Sequence, residues 1–301
     1  DMKKYLLCLT LLLSFLTFSA NAQQLSGTYT IGSGAGSDYS TFQAAIDAVG
    51  SNGISDHVTF EVQAGQYTEF LNISLSGLDS TKTVTFIGSS TNDVILKSNA
   101  GYLEKPTINF DATGFISFKD MTIATTSTNF CNVVIFNNGV RDIKFENIIF
   151  NGYDITGSGW FNNDYNIIQD NSQTFVDKNM AFINCTFNYG KMAIMMQGKK
   201  NFVTGEYYFD QNLVVENCTF NNQHSKSLYL QFQEFATIKG NTFNNTKDIN
   251  NFQGMDLLRC EQGTIVENNV VHINFTNNAT GIELRNCHGS PDHPFILRNN
   301  M

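Results

Sequence analysis

Two segments of this 301-residue chain match at an offset of 27: Gly254-Met-Asp256-Leu-Leu-Arg259-Cys260 and Gly281-Ile-Glu283-Leu-Arg285-Asn-Cys287. Apolar residues alternate in both, so each reads as a strand with Asp256 or Glu283 on the outer side. On neighbouring strands about 4.8 Å apart, two carboxylates repel. Such a pair takes up a cation, Ca2+ being the candidate, or shares a proton. Arg259 and Arg285 lie nearby and could instead hold a sugar carboxylate. The same four residues also read as solvated charge, with Arg neutralising acid. A second chemical feature is the insertion Gly157-Ser-Gly-Trp160-Phe-Asn-Asn-Asp-Tyr165. Trp160 and Tyr165 on an exposed loop suit stacking on sugar rings, or folding back over a strand edge. The histidines give no metal motif: His224, His272 and His288 lack ligand spacing, and His288 and His293 flank a corner loop, Ser290-Pro-Asp-His-Pro294.

These side chains need a scaffold, and a repeat supplies it. The pattern apolar-x-apolar-x-Asn-x-x-apolar recurs, as in Ile143-Lys-Phe145-Glu-Asn147-Ile-Ile-Phe150 and Leu213-Val-Val215-Glu-Asn217-Cys-Thr-Phe220. Its central slot falls at Asp120, Asn147, Asn184, Asn217, Gly240, Asn268 and Asn299. Alternation before the slot marks a strand with one buried face. The slot itself marks a bend, where Asn tolerates the left-handed conformation, and a second strand follows. A further strand class precedes each slot: Val133–Ile135, Ile194–Met196, Leu228–Leu230, Met255–Leu257 and Ile282–Leu284. Copies on a variable period suit a solenoid whose coils bury their apolar faces by stacking, with loops of differing length at fixed corners. Asn147, Asn184, Asn217 and Asn268 are therefore expected to stack as one amide ladder. Cys185 and Cys218 follow that slot, where Met121 and Ile148 otherwise stand, and are expected as inward thiols in contact. Cys260 and Cys287 also share a repeat position, on a face the pattern leaves open. Five cysteines follow the leader, an odd count that argues against a fully paired disulfide framework.

The ends differ from the middle. Ser40-Thr-Phe-Gln43 fits a capping box, and Phe42, Ala45, Ile46 and Val49 share one helical face. That short helix is expected to plug the first coil. Lys3 and Lys4, an apolar run from Tyr5 to about Phe18, and Ala20-Asn21-Ala22 read as a signal peptide over 1–22, with Asp1 outside the true start. The β-helix domain then covers 23–301. No later segment is long and apolar enough to span a bilayer. The chain stops inside a repeat at Arg298-Asn-Asn-Met301, so it reads as truncated at the C-terminus. A net charge of −9 argues against nucleic acid and anionic headgroups as partners.

Asp38-Tyr-Ser-Thr-Phe-Gln-Ala-Ala-Ile46, Val58-Thr-Phe-Glu-Val62 and Gly65-Gln-Tyr-Thr-Glu69 resemble the cap and first coil of the pectin-lyase-like superfamily. The repeat extends that resemblance over essentially the whole chain past the leader. It implies an all-β fold: a right-handed parallel β-helix with a short N-terminal capping α-helix. For activity it is weak, because that superfamily holds lyases, hydrolases, esterases, epimerases and non-catalytic surface proteins. Gly65-x-Tyr67-x-Glu69 is similar to the first motif of pectin methylesterases, and Arg141-Asp-Ile-Lys-Phe-Glu-Asn147 to their next coil. Those enzymes then need two Asp and a Gln-Asp-Thr-Leu segment after a Phe-x-x-Cys-x-Phe coil. Here Phe182-Ile-Asn-Cys185-Thr-Phe187 is followed by Lys191-Met-Ala-Ile194, without the acid, and Gln169-Asp170 lies upstream in what reads as a loop. Lyase chemistry would need a base for an α-proton, and hydrolase chemistry a cluster of carboxylates across coils. The reading is a secreted or cell-surface β-helix, non-catalytic, directed toward a polysaccharide or surface glycan. The alternatives are a polysaccharide lyase or glycoside hydrolase working in a groove along the helix, and an adhesin stalk.

Overall fold

The structure is a computed structural model that describes residues 23–98, 105–157, 161–172, 175–201, 203–274 and 278–301. The leader 1–22 and Trp160 therefore lie outside the described residues. The chain winds through three parallel faces. Face A begins at Leu25–Ile31 and continues through Ile54–Val62, Val84–Gly88, the first half of Gly114–Thr125 and on to Ile296–Arg298. Face B includes Val94–Ser98, Thr186–Asn188, Thr219–Asn221, Thr242–Asn245 and Val270–Ile273. Face C runs Leu71–Ile73, Ile108–Asp111, Val134–Asn137, Ile168–Asp170, Met192–Gln197, Lys226–Glu234, Gln253–Glu261 and Thr280–Arg285. The strand class seen ahead of each slot in the sequence is face C.

Stacking in register puts like on like. Phe60, Phe86, Phe118, Phe145 and Phe182 form one inward column on face A, with ring centroids 4.8–5.7 Å apart. Phe150, Phe187, Phe220 and Phe243 form another on face B, at 4.6–4.9 Å. Parallel rings at this spacing combine area burial with favourable offset contacts. All nine are fully buried.

The bend between faces A and B is the repeat slot. Asp120, Asn147, Asn184, Asn217, Gly240, Asn268 and Asn299 all take φ between 53° and 65°, which Asn, Asp and Gly adopt at least cost. The corner is shared as expected, but its side chains are not the ladder. Asn147, Asn184, Asn217 and Asn268 are exposed, and at this corner Asn147 bonds back to Asp120. The left-handed turn aims the slot outward and hands the inward direction to the next residue. There Met121, Ile148, Cys185 and Cys218 give way to Asn241, Asn269 and Asn300. Asn269 Oδ1 accepts from Asn241 N at 3.0 Å, Asn300 Oδ1 accepts from Asn269 N at 3.0 Å, and Asn241 Oδ1 accepts from Cys218 N at 2.8 Å. A second ladder lies outside on face B, Asn151–Asn188–Asn221–Asn244, with amide contacts of 2.8, 2.9 and 3.2 Å.

Helix α1 (Phe42–Asn52) plugs the first coils with Phe42, Ala45, Ile46 and Val49 buried, the four residues its periodicity picks out. Its N-cap is Thr41, one residue later than the capping box places it; Thr41 Oγ1 accepts from Ala44 N at 3.1 Å. Glu69 completes the cap from the neighbouring coil, accepting from Phe42 N at 3.1 Å and Gln43 N at 3.0 Å. The Gly65-x-Tyr67-x-Glu69 motif thus serves the plug. No helix among the described residues is long and apolar enough to cross a membrane.

Candidate binding face

The strand Lys226–Glu234 of face C organises the site. Leu228 and Leu230 point inward and are fully buried, while Tyr229 and Gln231 point out. Register then sets Met195, Tyr229, Asp256 and Glu283 in one outer row. Gln197 and Gln231 stand in the next row, their side chains bonded at 2.5 Å. Tyr229 donates its hydroxyl to Gln231 Oε1 at 3.1 Å, and Lys226 Nζ lies 4.7 Å from the Tyr229 ring centre. Lys226 also pairs with Asp256. Arg285 Nη2 grips both oxygens of Asp256, at 2.7 and 2.8 Å, and its Nε lies 3.5 Å from Glu283. Gln253 bonds Glu283 in turn.

Asp256 and Glu283 do stack as neighbours, and Arg285 joins them. The Asp256 side chain is fully buried between two cations, Lys226 and Arg285, which match its charge. The Asp256 carboxylate in turn raises the pKa of Arg285. Among the described residues no three His, Cys, Asp or Glu converge as metal ligands do. Arg259 does not join this cluster. It sits at a left-handed corner, φ 52°, and its guanidinium lies over Tyr207 at 4.7 Å.

That stacking marks an open cleft of about 410 Å3 at the C-terminal end of the face C strands. Its floor is Gln197, Gln231 and Phe232. Its wall is a small antiparallel hairpin pairing Lys199 with Tyr208 and Lys200 with Tyr207. Gly198 leaves no room for a side chain beside that wall: a Cβ there would meet the Tyr208 carbonyl oxygen at 2.3 Å. Tyr207 packs on Phe232 at 5.0 Å and carries Lys200 at 5.2 Å as well as Arg259. An acidic chain has gathered two cations, Lys200 and Arg259, around one tyrosine ring, and the Gln197–Gln231–Tyr229 chain of hydrogen bonds links the cleft to the Asp256 cluster.

Beneath the cleft lies a layer the sequence reading put elsewhere. Gln169-Asp170 is in strand Ile168–Asp170, not a loop, and Asp170 occupies the inward slot held by Phe136 one coil earlier. Asp170, Asp177 and Asp210 are 4%, 0% and 2% exposed. Asp170 accepts from Gln197 N and Ser172 N, Asp177 from Val140 N, and Asp210 from Asp177 N and Gln233 Nε2, all between 2.7 and 3.0 Å. Asp177 Oδ2 and Gln233 Oε1 are buried without a partner. Burial raises all three acids, Asp177 to about 6 and Asp210 to about 8, and mutual repulsion adds to it for Asp170 and Asp210.

Tyr165 sits at the other end of these strands, roughly 20 Å of extended chain from the cleft. It folds back: its ring packs at 5.0 Å on Phe161 and 5.9 Å on Tyr153, and its hydroxyl donates to Thr128 O at 3.2 Å. Sequence reasoning missed Lys199, Lys200, Tyr207 and Gln231. Their signal was there, as a Lys-Lys pair and Tyr-Tyr-Phe in one inter-repeat insertion of an acidic chain.

No protein-family model matches the sequence, and no curated protein sequence does. Solved structures do match. A pectin methylesterase from Aspergillus niger aligns with a TM-score of 0.51 and 16% identity, over 92% of each chain. The pectin methylesterase from carrot aligns with a TM-score of 0.51 and 12% identity, over 92% of this chain and 84% of that one. The fold is a right-handed parallel β-helix, and at such identities the likeness speaks for fold alone.

Proposed function

We propose that this is an exported β-helix protein that binds an acidic polysaccharide along face C without cleaving it. The observation that carries the reading is the Tyr207 platform. A flat ring flanked by Arg259 and Lys200, with Lys199 also lining the cleft, offers a stacking surface for a sugar and cations for its carboxylate, and the amides of Gln197 and Gln231 lie beside it. The leader-like start of the sequence supports export. Two proteins with this fold are named pectin methylesterases, which makes pectin the first ligand to test.

The charge distribution supports binding over turnover. A general acid needs a carboxyl that holds its proton near neutral pH. The carboxyls with the most strongly raised pKa here are walled inside, whereas Asp256 on the outer face is neutralised by Lys226 and Arg285. Affinity electrophoresis on methylated pectin and on polygalacturonate, with methanol release and reducing ends followed in parallel, tests the reading. Tyr207→Ala and Arg259→Ala should each weaken binding roughly tenfold, about 1.4 kcal/mol, with no methanol or new reducing ends from the parent protein. Product formation lost in Asp256→Asn would replace this reading with the enzymatic one. Binding unchanged by both cleft variants would remove the cleft from it.

A further inference from the structure

Two pairs of thiols meet inside the solenoid, and they differ. Cys185 and Cys218 stack at the face A–B corner, both buried, their thiols donating to the Phe145 and Phe182 carbonyls at 3.5 and 3.3 Å. Cys260 and Cys287 stack where face C ends. The pairings Leu258 with Arg285 and Glu261 with His288 bracket them, so they are in-register neighbours on adjacent strands. Their Cα atoms are then about 4.8 Å apart, within the disulfide range of about 4.4–6.8 Å. Their side chains turn the same way, Cys260 Sγ toward Leu230 O at 3.8 Å and Cys287 Sγ toward Leu257 O at 3.4 Å, each a carbonyl of the preceding coil. Cys260 is fully buried and Cys287 half-buried.

We propose that Cys287 and Cys260 form a reactive dithiol that a small-molecule disulfide converts into a cross-coil bridge, while Cys185 and Cys218 stay reduced. Cys287 is the one of the two that a reagent can reach, and the neighbouring Cys260 thiol brings it down to about 6, so Cys287 is the nucleophile; when it holds a proton, its Sγ donates to the Leu257 carbonyl at 3.4 Å. Burial pushes Cys260 up, so it waits as the resolving thiol. The Cys287 thiolate attacks one sulfur of the reagent disulfide, forming a mixed disulfide and expelling one thiolate. Cys260 then loses its proton and attacks Cys287 Sγ, expelling the second thiolate. Two protein thiols are oxidised, and one external disulfide is reduced to two thiols. Burial pushes Cys218 up, and neither thiol of its pair is exposed to begin the exchange.

The bridge would fasten strand Gln253–Glu261 to strand Thr280–Arg285, the two strands that carry Asp256, Glu283 and Arg285. The reduced protein should be incubated with oxidised glutathione, quenched in acid, alkylated and peptide-mapped. The expected result is a Cys260–Cys287 linkage, with Cys131, Cys185 and Cys218 alkylated. Cys260→Ala should retain one glutathione on Cys287, and Cys287→Ala should leave Cys260 unmodified. Alkylation of both Cys260 and Cys287 in the treated parent overturns the proposal, as does a bridge forming equally between Cys185 and Cys218. If a variant does not fold, the parent's peptide map decides alone.

Discussion

Two interior columns of this solenoid share one geometry and carry opposite chemistry. On face A the column is Phe60, Phe86, Phe118, Phe145, Phe182. At the end of face C it passes through Asp177, Asp210, Gln233, Cys260. Parallel stacking sets each residue on its counterpart in the next coil. For phenylalanine that is favourable, because every ring gains two neighbours at van der Waals distance. For carboxylates it is costly, because burial and repulsion both oppose ionisation. Burial accordingly raises the pKa of both acids, which favours the protonated form. The difference teaches that the fold tolerates a polar interior where it need not stay charged, and that this tolerance depends on pH.

The sharpest way to break the comparison is to hollow the apolar column. Phe145→Ala removes a ring held between Phe118 at 5.7 Å and Phe182 at 5.5 Å. We expect a loss of about 3–5 kcal/mol in denaturant unfolding, since rigid neighbours on both sides cannot close the cavity. The acidic column should respond to pH instead. Unfolded aspartates titrate near 4, and the folded Asp177 and Asp210 titrate at about 6 and about 8. Between those values the folded state binds more protons at these two acids than the unfolded one, so their contribution to stability falls as pH rises from about 4 to about 8. Asp210→Asn removes one of these charges at nearly constant shape. Its stability curve should be flatter over that window by on the order of 5 kcal/mol. Equal pH slopes for parent and variant, measured by thermal unfolding, would show that the column stays ionised and is stabilised some other way.

How much of this was legible beforehand follows the same division. Periodicity-2 runs and the recurrent bend residue gave the coil, the corner and the plug helix, because each is set by local backbone preference and the identity of the buried face. The Asp256–Glu283 pairing was legible because a 27-residue offset aligns two strands directly. What pairing cannot give is which long side chain reaches across. Lys226 precedes Asp256 by 30 residues and Arg259 swings to Tyr207, and nothing in their spacing says so. The acidic column was hidden for another reason. Asp177 and Asp210 stand in inserted segments without the repeat pattern, and Asp170 breaks the rule that inward slots are apolar. The asparagine ladder was displaced by one residue, because a left-handed corner reverses which of two successive residues faces in.

That one-residue displacement yields the finest test, since it creates two asparagine ladders that differ in solvent access. Inside, Asn269 Oδ1 accepts from Asn241 N and Nδ2, and its own Nδ2 donates to Ile238 O at 2.9 Å and Asn300 Oδ1 at 2.9 Å. Asn269 and Asn241 are fully buried. Asn269→Ala strands the Asn241 amide N–H and the Ile238 carbonyl away from water, and each such orphan costs about 1–3 kcal/mol. We expect a loss of about 2 kcal/mol after local relaxation. Outside, Asn188 bridges Asn151 at 2.8 Å and Asn221 at 2.9 Å on a half-buried surface. Asn188→Ala leaves the same kinds of group unpaired, but water reaches them, and the loss should be within about 0.5 kcal/mol. Chemical denaturation of the two variants side by side decides the matter. If Asn188→Ala costs as much as Asn269→Ala, the outer ladder stabilises through cooperative alignment along its length, and solvent access is the wrong variable.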